Sequence, residues 1–103
     1  MELDRRRAPR AKIALACTLR RRRGSPITGE TYDLGPGGMS VCTARPLAAD
    51  EIVSFDLALD GEPHVDGRAR VLRQQSWERY ALRFEVLSEP KRDRLRGLVG
   101  SPV

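Results

Sequence analysis

Apolar side chains return at every second position in short runs separated by turn residues, a period that calls for strands rather than helices over most of this chain. In the first run Ile13, Leu15, Cys17 and Leu19 share one side, opposite Lys12, Thr18 and Arg20. Four arginines at 20–23, then Gly24, Ser25 and Pro26, read as a solvated turn. A second strand spans 27–33, with Thr28, Glu30 and Tyr32 on one face. After a tight Gly/Pro loop, Met39, Val41 and Thr43 restart the alternation, and Arg45-Pro46 ends it. Residues 51–59 put Val53, Phe55, Leu57 and Leu59 on one side, and Asp60-Gly61 signals a hairpin. Val65, Gly67, Ala69 and Val71 continue the pattern, residues 74–78 are predicted as a turn, and Tyr80, Leu82, Phe84 and Val86 form a sixth strand. Ser88 has the position of an N-cap, with Glu89 and Pro90 in the first turn after it. This predicts a short helix over about 89–99 with Leu95, Leu98 and Val99 inward.

The expected fold is all-β: a six-stranded antiparallel barrel, closed so that no strand edge is exposed, with a short C-terminal helix. A chain of 103 residues fits one domain. Residues 1–11 lack hydrophobic periodicity and contain Pro9, so they are expected to form a flexible Arg-rich arm ahead of a barrel domain spanning 12–103.

The charge distribution is uneven. Residues 1–23 hold nine basic and two acidic side chains, whereas the remaining 80 hold ten basic and twelve acidic ones. A local arginine cluster suits a phosphate-bearing partner, because guanidinium meets phosphate oxygens in a planar two-point geometry. A nucleotide, a nucleic acid and an acidic membrane surface all remain open on this ground.

Two constellations carry chemistry. Arg6 and Arg10 stand in an RxxxR spacing preceded by Arg5. In an extended arm that spacing spans roughly 13 Å, enough to reach separate atoms of a dinucleotide-sized ligand. The second is Asp33-Leu34-Gly35-Pro36-Gly37-Gly38. A carboxylate accepts two hydrogen bonds at once, and the guanine edge offers two adjacent N–H donors. Gly35, Gly37 and Gly38 are expected to allow positive φ, a close backbone approach, and an anion-binding nest of amides.

Together these motifs resemble the PilZ domain family, whose signature pairs RxxxR in an N-terminal arm with [DN]xSxxG some twenty to thirty residues later. The resemblance extends through the strand after the arm, the loop, the Tyr80-x-Leu82-x-Phe84 strand and the closing helix. It implies a barrel that binds the bacterial second messenger cyclic di-GMP as a receptor, not an enzyme. Arg6 and Arg10 would grip phosphate and guanine, Asp33 would read the guanine edge, Gly38 would shape the loop, Gly35 would stand among the ligand-binding positions, and Arg5 would add a less secure contact. An arm that folds over the ligand would alter affinity for a downstream protein. The sequence departs from the signature at Gly35, where the family usually carries Ser. A degenerate member acting only as a protein-interaction module is therefore the alternative.

A nucleic-acid-binding small barrel is the third reading. It is disfavoured because only five aromatics occur, and Phe55, Tyr80 and Phe84 fall on the core alternation. His64 is the single histidine, with no nucleophile nearby to complete a triad. Cys17 and Cys42 lack CxxC spacing, so no zinc site is expected, and both are read as buried reduced thiols on strands. Trp77 is read as a packing or partly exposed turn residue. No apolar run is long enough to span a membrane and no apolar leader opens the chain, so a cytoplasmic location is expected.

Overall fold

The computed structural model describes residues 10–100. The six periodic runs become β1 (Ala16–Arg20), β2 (Ile27–Leu34), β3 (Gly38–Thr43), β4 (Ile52–Leu57), β5 (Val65–Ser76) and β6 (Arg79–Val86), followed by the helix α1 (Glu89–Val99). Every pairing is antiparallel, and the order β1-β2-β3-β6-β5-β4 closes on itself when β4 pairs with β1. The predicted closed barrel is the fold observed.

Alternation decides what lies inside. Leu19, Val41, Val53, Leu57, Val65, Val71 and Leu82 are buried along the barrel axis, and Phe55 meets Phe84 with ring centroids 5.0 Å apart. The helix covers one end. Ser88 caps it by accepting the Lys91 amide, Leu95 is fully buried in the core, and Arg92 and Arg94 donate to carbonyls of the two loops at that end, Pro36 and Pro63. Leu98 is exposed, contrary to the expected inward stripe, because only Leu95 faces the barrel mouth.

Two other departures arise because pairing and bulges override local pattern. The first strand begins at Ala16 rather than residue 12. The lead-in instead follows β2 through an Ala11–Leu34 bridge and through the Thr31 hydroxyl, which accepts the Leu15 amide and donates to the Ile13 carbonyl. The predicted turn at 74–78 is mostly strand. Irregularities at Val71/Arg73 and Gln74/Ser76 let a wholly polar stretch stay paired with β6, and only Trp77 and Glu78 form the turn. Val86 ends its strand exposed. Cys17 is buried, but Cys42 is not: Val41 and Thr43 take the inward positions, so parity turns Cys42 outward. Both thiols are free, and burial, with the Asp56 charge adding to it, pushes Cys17 up to about 12.

Candidate ligand-binding site

The site is built where β2 bends. Thr31 pairs with Val41 and Asp33 with Ser40, so the β2 strand has one residue more than β3 across this step. In a regular strand Asp33 would share the inward parity of Thr31. The bulge instead leaves Thr31 and Leu34 inside and puts both Tyr32 and Asp33 outside. An acid that would otherwise face an apolar core is thereby presented on the barrel wall.

Asp33 has two partners there. Its Oδ1 accepts the Ser40 amide at 3.2 Å and the Arg10 guanidinium as an ion pair. Two motif residues 23 positions apart are thus in direct contact, with the Asp33 side chain about one quarter exposed (24%). Arg5 and Arg6 lie outside the described residues, as does most of the expected arm at 1–11.

The glycine loop works differently from expectation. Among the described residues the positive-φ glycines are Gly24, Gly61 and Gly100, so Gly35, Gly37 and Gly38 form no left-handed nest. Gly38 is needed for proximity: a Cβ there would stand 2.4 Å from the Leu82 carbonyl oxygen on β6. Gly37, by contrast, faces open space. The loop is held by Gly35 N–H donating to the Gly38 carbonyl, Phe84 N–H donating to Gly37, and Arg92 reaching Pro36 from the helix at 2.5 Å. A rigid loop thus stands beside Asp33 with part of its backbone uncovered by side chains.

Residues outside both motifs flank this pair. Tyr32 lies under two cations, with Arg79 at 4.0 Å and Lys12 at 5.3 Å from the ring centroid. Those cations, Lys12 foremost, hold the Tyr32 phenol below its ordinary pKa. Arg79 Nε is buried without a hydrogen-bond partner among the described residues. Ser40, itself buried, donates its hydroxyl to Gln75 at 2.7 Å. Lys12 and Tyr32 adjoin the motifs in sequence and were open to inspection. Arg79 and Gln75 come from the β5–β6 hairpin, and only the closed pairing brings them over.

The other residues considered lie elsewhere. Arg21 is not solvated as expected for the 20–23 run: it clasps Glu51 at 2.5 and 2.9 Å and donates to the Pro46 carbonyl. His64 pairs with Asp56 at 3.0 Å on the surface. A groove of about 730 Å³ on the wall of β1, β4 and β5, lined by Thr18, Arg20, Ser54, Asp56, Asp66 and Arg68 among others, contains none of the motif residues. Among the described residues no group of three or more His, Cys, Asp and Glu is placed to hold a metal ion, and no helix is long and apolar enough to cross a membrane.

The small closed barrel carries the Arg10–Asp33 pair beside its glycine loop. The family model of the PilZ domain matches residues 4–101, and the chain belongs to that family. Solved structures agree on the fold. The PilZ domain of CeSA from a cellulose-synthesizing bacterium superposes with a TM-score of 0.66 at 25% identity, covering 87% of this chain and 93% of that one. YcgR of Escherichia coli, solved in complex with c-di-GMP, gives 0.76 at 20% identity over 92% of this chain. The Bacillus subtilis inhibitor of motility MotI/DgrA gives 0.77 at 14% identity over 90% of this chain. The chain spans under half the length of these last two, 44% of YcgR and 48% of MotI/DgrA. A comparison with curated proteins finds no match.

Proposed function

We propose that this domain is a cyclic di-GMP receptor that changes its affinity for a downstream protein when the ligand binds, acting in the cytoplasm and without catalysis. The observation that carries the reading is the contact between Arg10 and Asp33 beside Gly38, which joins the two motif halves into one charged site. PilZ membership and the c-di-GMP held by YcgR support the choice of ligand.

The Arg10–Asp33 ion pair indicates how the exchange runs. Arg10 donates to the Asp33 carboxylate. When guanine arrives, its two adjacent N–H donors replace the guanidinium on the carboxylate, and the guanidinium turns to a phosphate oxygen or to the guanine acceptor edge. The number of charge-assisted hydrogen bonds is kept while new ones form to the ligand. Arg6, and less securely Arg5, supply further cations from the preceding arm, whose ordering over the ligand is the conformational change. The coupling to a partner is no larger than the ligand's preference for the closed arm.

Gly35 favours a second reading, a domain that keeps the fold and has lost the ligand. The missing serine hydroxyl removes one hydrogen bond, about 0.5–1.5 kcal/mol net, or roughly two- to tenfold in affinity. That loss weakens a site of several charged contacts without abolishing it. Calorimetry of the folded protein with cyclic di-GMP tests the reading. Stoichiometric binding, mostly removed by Arg10→Ala and by Asp33→Ala, is expected. No heat from the wild type, together with a partner retained equally with and without nucleotide, establishes the interaction-only module instead.

A further inference from the structure

At the barrel end away from the helix, the β5–β6 turn presents Trp77, which is 84% exposed. Its neighbours Gln74, Gln75, Ser76 and Glu78 are all polar and exposed, so nothing in the turn shields the indole. Glu78 holds a left-handed conformation, φ 64°, which a non-glycine residue adopts at a cost. An indole this exposed adds little apolar burial to the barrel.

Hydrogen bonds tie this turn to an arginine cluster. The Glu78 carbonyl accepts the Thr43 amide at 2.9 Å, the Thr43 hydroxyl donates to the Arg45 carbonyl at 2.7 Å, and the Arg45 guanidinium donates to the Ser25 and Pro26 carbonyls at 3.2 and 3.0 Å. Trp77, Arg45 and the turn carrying Arg22 and Arg23 therefore occupy the same end of the barrel. Arg21 is neutralised by Glu51, but Arg22, Arg23 and Arg45 meet no carboxylate of the described residues within ion-pair range. Glu78 is the acid nearest the indole in sequence.

We propose that this end docks on an anionic phospholipid surface, with Trp77 entering the headgroup region and Arg22, Arg23 and Arg45 facing lipid phosphates and carboxylates. Tryptophan is suited to that depth because its ring is apolar and its N–H is polar. A protein hot spot sits in a well-packed ring of neighbours that exclude water, whereas the residues beside Trp77 in this turn, Gln74, Gln75, Ser76 and Glu78, are polar and exposed. The charge complementarity and the single projecting ring fit a lipid surface. Docking by this end does not require nucleotide binding.

Trp77 is the only tryptophan in the chain, so its emission reports its own surroundings. The full chain, without nucleotide, is mixed with vesicles of phosphatidylcholine alone or of phosphatidylcholine with phosphatidylserine, and is followed by fluorescence and co-sedimentation. Expected are a blue shift and sedimentation with the anionic vesicles only. Each arginine removed should weaken partitioning about fivefold, so Arg22→Ala with Arg23→Ala gives roughly twenty-five-fold. Trp77→Ala, read by sedimentation, should weaken it at least roughly tenfold, and Glu78→Gln should strengthen it. No sedimentation overturns the proposal. So does sedimentation with unchanged Trp77 emission, which assigns the contact to another basic segment, and so does a blue shift produced by cyclic di-GMP but not by vesicles.

Discussion

Gly38→Ala is the substitution that separates the two roles a glycine in this loop can have. Adding one methyl group at Gly38 brings a carbon within 2.4 Å of the Leu82 carbonyl oxygen and 3.3 Å of Arg83 Cα, both main chain. A backbone oxygen cannot rotate aside, so β6 must retreat by at least about 0.6 Å to restore even a tight 3.0 Å contact. That shift lies at the first rung of the β3–β6 pairing, Gly38 with Arg83, and next to the Phe84 N–H bond to the Gly37 carbonyl. Overpacking costs roughly 1–3 kcal/mol, and a weakened backbone hydrogen bond adds about 1 kcal/mol. The expected loss is therefore about 2–4 kcal/mol, which lowers Tm by roughly 10–25 °C in a domain of this size. Gly37→Ala is the internal control, because its Cβ meets nothing within 4 Å, and it should leave Tm within a degree or two of wild type. Thermal unfolding by circular dichroism, with no ligand present, measures both. If Gly38→Ala unfolded at the wild-type temperature while Gly37→Ala was destabilised, the close-approach argument would be refuted.

Three further outcomes follow from the same geometry. Leu95→Ala should cost about 2–4 kcal/mol and lower the urea midpoint, because its fully buried side chain is the helix's main anchor in the barrel mouth. Arg21, chiefly by hydrogen bonding, depresses the Glu51 carboxyl below its ordinary value of 4.5, so the stability from this pair is present above that pH and is lost as the solution is acidified through the depressed folded-state value. Glu51→Gln should flatten that acid limb of a pH–denaturation series, and an unchanged slope would show that the pair contributes nothing. A maleimide reagent at neutral pH should modify Cys42 in the native protein and spare Cys17 until denaturant is added, since one thiol is exposed and the other is buried and pushed up to about 12; equal labelling by intact mass would contradict the burial assigned to Cys17.

Much of this protein is written in a local code that needs no coordinates. The period of two at Val53, Phe55 and Leu57, or at Tyr80, Leu82 and Phe84, specifies strands and their inner faces because successive side chains on a strand point to opposite sides. Ser88 with Pro90 starts the helix for equally local reasons. The same code contained the answer for Cys42, which the Val41/Thr43 parity turns outward. The pairing of RxxxR with Asp33 and Gly38 was legible as a signature, but its geometry was not. Whether Asp33 faces the core or solvent depends on one extra residue in β2 opposite β3, a relation between strands that no single strand carries. Arg79 and Gln75 reach Tyr32 and Ser40 only because β6 pairs with β3 in the closed barrel, and Gly38 is required because Leu82 of that neighbour lies against it. Chain periodicity sets what each strand buries. Register and closure set which distant residues meet, because they are fixed by the free energy of the whole sheet rather than by any segment of it.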